Sequence, residues 1–294
     1  MGSEAGVRPA AAAGDPTAVH GAGHPAGSVP LRFSPFGTGH YGWGERIGSL
    51  ARLGAPKARE ALAFVLWAQR PVSRDALLDA LWDSESTEHS INALHYALYQ
   101  LRRAVGQEVV RYTDGAYQVT CAVEDDFRTL LQLATTVEAA GEGARAGPDG
   151  RGALAEQGLA LYTGLYLPWC EGPWAEEPRS RATSAVLTLI QALAEERWHA
   201  GQLTAALETS DRGLQMEATH EGLRLLQAQV LVAAGRRAEA LDRYRAYERL
   251  LEEEALGPPA AAVRVFMEAL ARAAGARVEP PGARPAQRRG GEAR

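Results

Sequence analysis

Residues 72–120 read VSRDALLDALWDSESTEHSINALHYALYQLRRAVGQEVVRYTDGAYQVT, and their order is helix, turn, helix, hairpin. Ser73 suits an N-cap with Asp75 in the first turn that follows. Leu77, Leu78, Leu81 and Trp82 then make one buried stripe. Asp83–Thr87 breaks the chain. In the next helix Ile91, Leu94, Leu98, Leu101 and Val105 repeat at steps of three and four, and Gly106 stops it. Asn92, His95, Tyr96, Tyr99, Arg102 and Arg103 fall off that stripe. Asp114-Gly115 is a two-residue hairpin turn that puts Val110 and Tyr112 in phase with Tyr117 and Val119, with Arg111 on the other face of its strand. This order is that of a winged helix-turn-helix.

Upstream, Leu31 and Phe33 alternate with Arg32 and Ser34, and residues 30–53 read as two to four short strands. Pro56 opens a helix to about Gln69, with Leu62, Val65 and Leu66 facing inward and Lys57 and Arg59 at its entry. Residues 1–29, rich in Ala, Gly and Pro, read as a disordered tail, and residues 276–294 as a second one. Downstream, the periodicity predicts helices near 125–141, 152–163, 180–200, 203–215, 219–234, 237–253 and 259–274. Ala194, Gly201, Ala206 and Leu207 recur as Ala228, Gly235, Ala240 and Leu241, each 34 positions on (235 − 201 = 34). That is the tetratricopeptide period. Trp169 and Trp174, with Pro168 and Pro173, read as a packed loop joining two helical layers. The chain is therefore expected to be mainly α: residues 30–121 a winged-helix domain with a small sheet and wing, residues 122–275 a tetratricopeptide-like helical domain.

The chemistry of the outward face follows from residue type. Asn92, His95 and Tyr99 can reach base edges or the groove, while Arg102 and Arg103 near the helix end, Arg111 in the wing, and Arg59 or Lys57 suit phosphate. Tyr96 serves either stacking or packing. The plainer alternative is a solvated face of a small helical domain. Overall charge leans that way: 31 Lys+Arg against 36 Asp+Glu give −5, and Lys57 is the one lysine. A DNA-binding head on an acidic body reconciles the two.

Other functions lack their motifs. No phosphate loop, dinucleotide fingerprint, zinc-protease helix or nucleophile elbow occurs, so no enzyme activity, cofactor or metal is expected. His89 and His95 are six apart, off ligand spacing. Cys121 and Cys170 have no CxxC partner and read as small buried hydrophobes. No apolar run approaches the ~20 residues of a membrane helix and no signal pattern opens the chain, so it is expected to be cytoplasmic with no membrane partner.

These motifs together resemble the SARP/AfsR-like family of bacterial transcriptional activators. The resemblance runs from about residue 50 to 272. It is carried by VSRDALLDALW (72–82), INALHYALYQLRRAVG (91–106), DGAYQV (114–119), Asp126 with Phe127, GLALYTGLYLPW (158–169) and AAGRRAEALDRYRAYERLLEEEALGPPAAAVRVF (233–266). It implies an OmpR-type winged helix followed by a bacterial transcriptional activation domain. It further implies double-stranded promoter DNA and RNA polymerase subunits as partners, and a homodimer. The reading helix would fall on residues 89–105 and the wing on 109–119. Two features depart from the family: Tyr99 and Gln100 stand where Ser or Thr and Arg are usual, and the basic run before the first helix is reduced to Lys57 and Arg59. Unlike the longer members of the family, the chain is expected to carry no ATPase module. Two other readings stay open. One is a tetratricopeptide-type adaptor whose head does not bind DNA, and the other is a regulator sensing a small molecule at the Trp169–Trp174 loop.

Overall fold

Leu31 and Phe33 are buried and Arg32 is exposed, as strand alternation requires. They lie on β1 (Leu31–Ser34), which pairs antiparallel with β2 (His40–Trp43), itself antiparallel to β3 (Arg46–Ser49). The computed structural model describes residues 30–43, 46–82, 87–106, 109–141 and 150–275. Both predicted tails, and residues 83–86 of the predicted break, lie outside the described residues.

A 3-10 turn (Leu50–Arg52) leads into α1 (Pro56–Ala68), which buries Ala58, Ala61, Leu62, Val65 and Leu66. After β4 (Val72–Ser73), α2 (Arg74–Trp82) starts on the Ser73 hydroxyl, which accepts from the Ala76 N–H at 3.1 Å. Leu77, Leu78 and Leu81 are buried, while Trp82 at the helix end is only half-buried. Next come α3 (Glu88–Val105), β5 (Val110–Thr113) and β6 (Ala116–Val119). The register is the expected one, Val110 opposite Val119 and Tyr112 opposite Tyr117. β6 also pairs with β4, giving the order β4-β6-β5. β7 (Val123–Asp125) returns parallel to β1 and completes the sheet β3-β2-β1-β7.

The chain divides into two compact units, one reaching Asp126 and including Tyr166–Pro178, the other comprising Phe127–Leu165 and residues from Arg179 onward. Tyr166–Pro178 refines one expectation. It does run from one helix (Arg151–Leu161) to the next (Glu176–His199), but it packs on the winged-helix unit. Phe36 bridges Tyr166, and the Leu167 N–H donates to the Pro35 carbonyl at 3.0 Å. The Trp174 ring meets Phe64 of α1 edge-on at 5.1 Å, and the Arg59 guanidinium lies 4.6 Å over the Trp169 ring. Those partners are far away in sequence, so local pattern does not reveal them.

The second unit holds α4 (Asp126–Ala140), α5 (Arg151–Leu161), α6 (Glu176–His199), α7 (Leu203–Met216), α8 (Glu221–Ala233), α9 (Arg237–Glu253) and α10 (Ala261–Gly275). α6 starts at Glu176, before the expected 180, because a 3-10 turn (Pro173–Ala175) feeds straight into it and Glu176 and Glu177 favour its N-terminal dipole. The repeat is structural. Gly201 and Gly235 both take left-handed φ, +75° and +74°, and the residue after each donates back five positions, Gln202 to Arg197 and Arg236 to Leu231, both at 2.8 Å. Ala194, Ala206, Ala228 and Ala240 are buried in one core with Leu226, Tyr247 and Met267. At Gly213 on α7 a Cβ would stand 2.4 Å from the Leu223 side chain and 2.9 Å from that of Ile190, so both side chains pack directly over the α7 backbone there. Asp211 of α7 accepts from Gln227 of α8 and, at 2.8 Å, from Arg243 of α9, tying three helices together.

Candidate nucleic-acid interface

Thr87 and Ser90 set the start of α3. The Ser90 N–H donates to the Thr87 hydroxyl at 3.2 Å, and the Thr87 N–H donates to the Ser90 hydroxyl at 3.0 Å. This capping box satisfies two helix-end donors at once. Leu94, Ala97, Leu98, Leu101 and Val105 then point into the unit and are buried, with Ile91 half-buried at the edge. Truncating any of the buried leucines to Ala costs about 2–5 kcal/mol, so the helix has one orientation it can hold.

The opposite face is open. His89, Asn92, His95, Tyr96, Tyr99 and Arg103 are exposed, the two tyrosines at 58% and 59%. Asn92, Tyr96, Tyr99 and Arg103 follow one another at steps of three and four and form one stripe along the helix. Tyr96, for which packing and stacking were both open, faces outward. Arg111 is exposed on β5 beside the stripe's C-terminal end in sequence.

Three of the expected phosphate residues are engaged inside the protein. Arg102 is half-buried, and its Nε donates to the Val110 carbonyl at 3.2 Å. Lys57 Nζ donates to Glu60 at 2.8 Å, and Glu60 is 4% exposed. Arg59 stacks on Trp169, its Nε buried and without a hydrogen-bond partner among the described residues.

Two exposed residues were missed. Tyr112 on β5 is 55% exposed, its ring 4.7 Å from that of Tyr117, which is buried. Strand alternation assigns both to one face and cannot separate them. His89 lies three residues before Asn92, a spacing that would have placed it on the stripe. The Tyr117 phenol is pushed up from its usual pKa by burial, against the opposing charge of Arg102. Cys170 is buried, and burial pushes the half-buried Cys121 thiol up. Among the described residues no three His, Cys, Asp or Glu side chains gather as metal ligands would, and no helix is long and apolar enough to cross a membrane. The cavity enclosed by α8, α9 and α10 has a volume of about 10 Å³, the scale of one water.

The architecture is a winged helix-turn-helix followed by tetratricopeptide-like repeats, and comparison with known proteins gives it a class. Residues 126–271 match the bacterial transcriptional activator domain. The regulatory protein AfsR of Streptomyces griseus is 30% identical over 234 residues, covering 78% of this chain and 23% of AfsR. AfsR of Streptomyces coelicolor is 29% identical over 212 residues, covering 71% of this chain and 21% of its own length. The chain thus spans less than a quarter of the length of these relatives. The structure of Mycobacterium tuberculosis EmbR, solved in complex with a low affinity phosphopeptide, shares the fold: its TM-score is 0.73 at 19% identity, covering 84% of this chain and 66% of that one. The chain is thus similar to the SARP/AfsR-like transcriptional regulators and carries their activator domain over residues 126–271.

Proposed function

We propose that this regulator binds double-stranded promoter DNA with α3 and the wing, and activates transcription by presenting its helical unit to RNA polymerase subunits. It acts as a homodimer in the cytoplasm, without cofactor or catalysis. The observation that carries the reading is the openness of Asn92, His95 and Tyr99 on the face opposite the buried leucines of α3. Amide, imidazole and phenol groups there can read base edges. Arg103 and Arg111 supply phosphate contacts at the helix end and in the wing. The 126–271 match and the AfsR relatives support the activating role. Mapping the sites the intact protein occupies on its own genome tests the proposal. A shared motif upstream of a few genes is expected, and scattered occupancy with no motif would overturn it.

Charge favours a second reading. Residues 50–120 carry eight Lys+Arg (52, 57, 59, 70, 74, 102, 103, 111) and eight Asp+Glu (60, 75, 79, 83, 85, 88, 108, 114), so 8 − 8 = 0. A neutral head suits an adaptor whose helical repeats hold a partner protein while the winged helix binds no DNA. In that case occupancy follows the partner and vanishes when the partner is deleted.

A further inference from the structure

The geometry points to Arg102 as a positioning residue that fixes the wing against the reading helix, in place of the phosphate contact its position suggests. The inference rests on the DNA-binding reading above. β5 is the outer strand of the sheet β4-β6-β5. The two-residue turn sets its hydrogen-bond alternation: Thr113 exchanges bonds with Ala116, Arg111 with Gln118, and the peptide groups of Val110 and Tyr112 turn away from β6. The Val110 carbonyl therefore faces the outer edge, where no further strand pairs among the described residues. Arg102 Nε reaches it at 3.2 Å from the last turn of α3. The base of that side chain is itself fixed, since the Arg102 carbonyl accepts from the Gly106 N–H at 2.9 Å and the neighbouring Leu101 is buried. Arg111 follows Val110 directly. The bond from Arg102 thus holds the peptide next to the exposed arginine that the wing offers to a phosphate. A planar guanidinium suits this task because its Nε–H has one fixed direction. The charge of Arg102 also bears on Tyr117, the buried residue beneath the hairpin.

The test uses the full chain with Arg102→Gln and Arg102→Lys, each alone and combined with Arg111→Ala. Amide hydrogen exchange is read on the free protein, and affinity on a duplex selected by the wild type. Arg102→Gln is expected to raise exchange in β5 and β6 about tenfold while α1–α3 exchange unchanged. It weakens binding about fivefold. Arg111→Ala alone also costs about fivefold, yet adds less than about twofold in the Arg102→Gln background, because the wing is already displaced. Arg102→Lys keeps the charge and restores less than half of the lost affinity. Unchanged exchange in the wing overturns the inference. So does an equal cost of Arg111→Ala in both backgrounds, the pattern of two independent phosphate contacts. If the wild type binds no duplex, the DNA-binding reading falls by itself, and the exchange measurement alone decides what Arg102 holds.

Discussion

Replacing Lys57 or Arg59 with Ala should leave the salt dependence of DNA binding unchanged, whereas Arg103→Ala and Arg111→Ala should each flatten it. All four are basic residues of the same small unit, so charge alone treats them alike. The structure separates them. Lys57 is spent on Glu60 at 2.8 Å and Arg59 on the Trp169 ring at 4.6 Å. Arg103 and Arg111 are exposed on the last turn of α3 and on β5. Each phosphate neutralised contributes about −0.9 to the slope of log affinity against log salt. From 50 to 200 mM salt, a fourfold rise, losing one such contact changes the ratio of wild-type to variant affinity by about 3.5-fold. The internal pair acts elsewhere. Lys57→Ala leaves a buried Glu60 carboxylate without its cation and should cost about 1–3 kcal/mol of stability. Arg59→Ala should cost about 0.5–2 kcal/mol through the lost ring contact. Fluorescence anisotropy on one duplex at four salt concentrations, with thermal unfolding of each variant, reads both quantities. A slope that falls by about 0.9 in Lys57→Ala or Arg59→Ala would refute the reasoning.

Three further outcomes follow from the packing. Thr87→Ala removes half of the capping box and should cost about 1 kcal/mol, with faster amide exchange in the first turn of α3 and not in its last. Gly213→Ala gains about 1 kcal/mol of helix propensity but forces a methyl into Leu223 and Ile190, both fully buried. Its net effect should be a loss of about 1–2 kcal/mol in chemical denaturation, against a gain if the helices can part. Tyr244 is pushed up to about 12 by burial, with the nearby Glu248 and Glu268 adding to it and Arg264 opposing. A raised folded-state value means its contribution is complete below about pH 10 and is lost as pH rises toward 12. Tyr244→Phe should therefore flatten the alkaline limb of the stability curve, and an unchanged limb would contradict the assignment.

Local signals carried most of the fold. Asp114-Gly115 fixed the hairpin register, since a two-residue turn permits one pairing. The leucine spacing of α3 separated its buried face from its open one, and the 34-residue echo of Gly201 at Gly235 marked two equivalent turns. What stayed hidden depends on contacts distant in sequence. Arg59 meets Trp169 across 110 positions (169 − 59 = 110), so its engagement has no local trace. Tyr112 and Tyr117 share a face, yet β6 is flanked by β4 and β5 while β5 is an edge, and only Tyr117 is covered. The engagement of Arg102 with Val110 has the same origin: helix spacing shows where a side chain starts, and the strand edge shows where its donor ends.

The most direct test of an outward-facing reading helix is selection from random duplexes by the intact protein and by an Asn92→Ala, His95→Ala, Tyr99→Ala variant whose unfolding matches the wild type. The wild type should enrich one sequence and bind it at least about 10³-fold more tightly than random DNA. The variant should lose that preference while keeping weak, salt-sensitive binding. Equal enrichment by both proteins, or none by the wild type, would contradict a DNA-reading role for this face of α3.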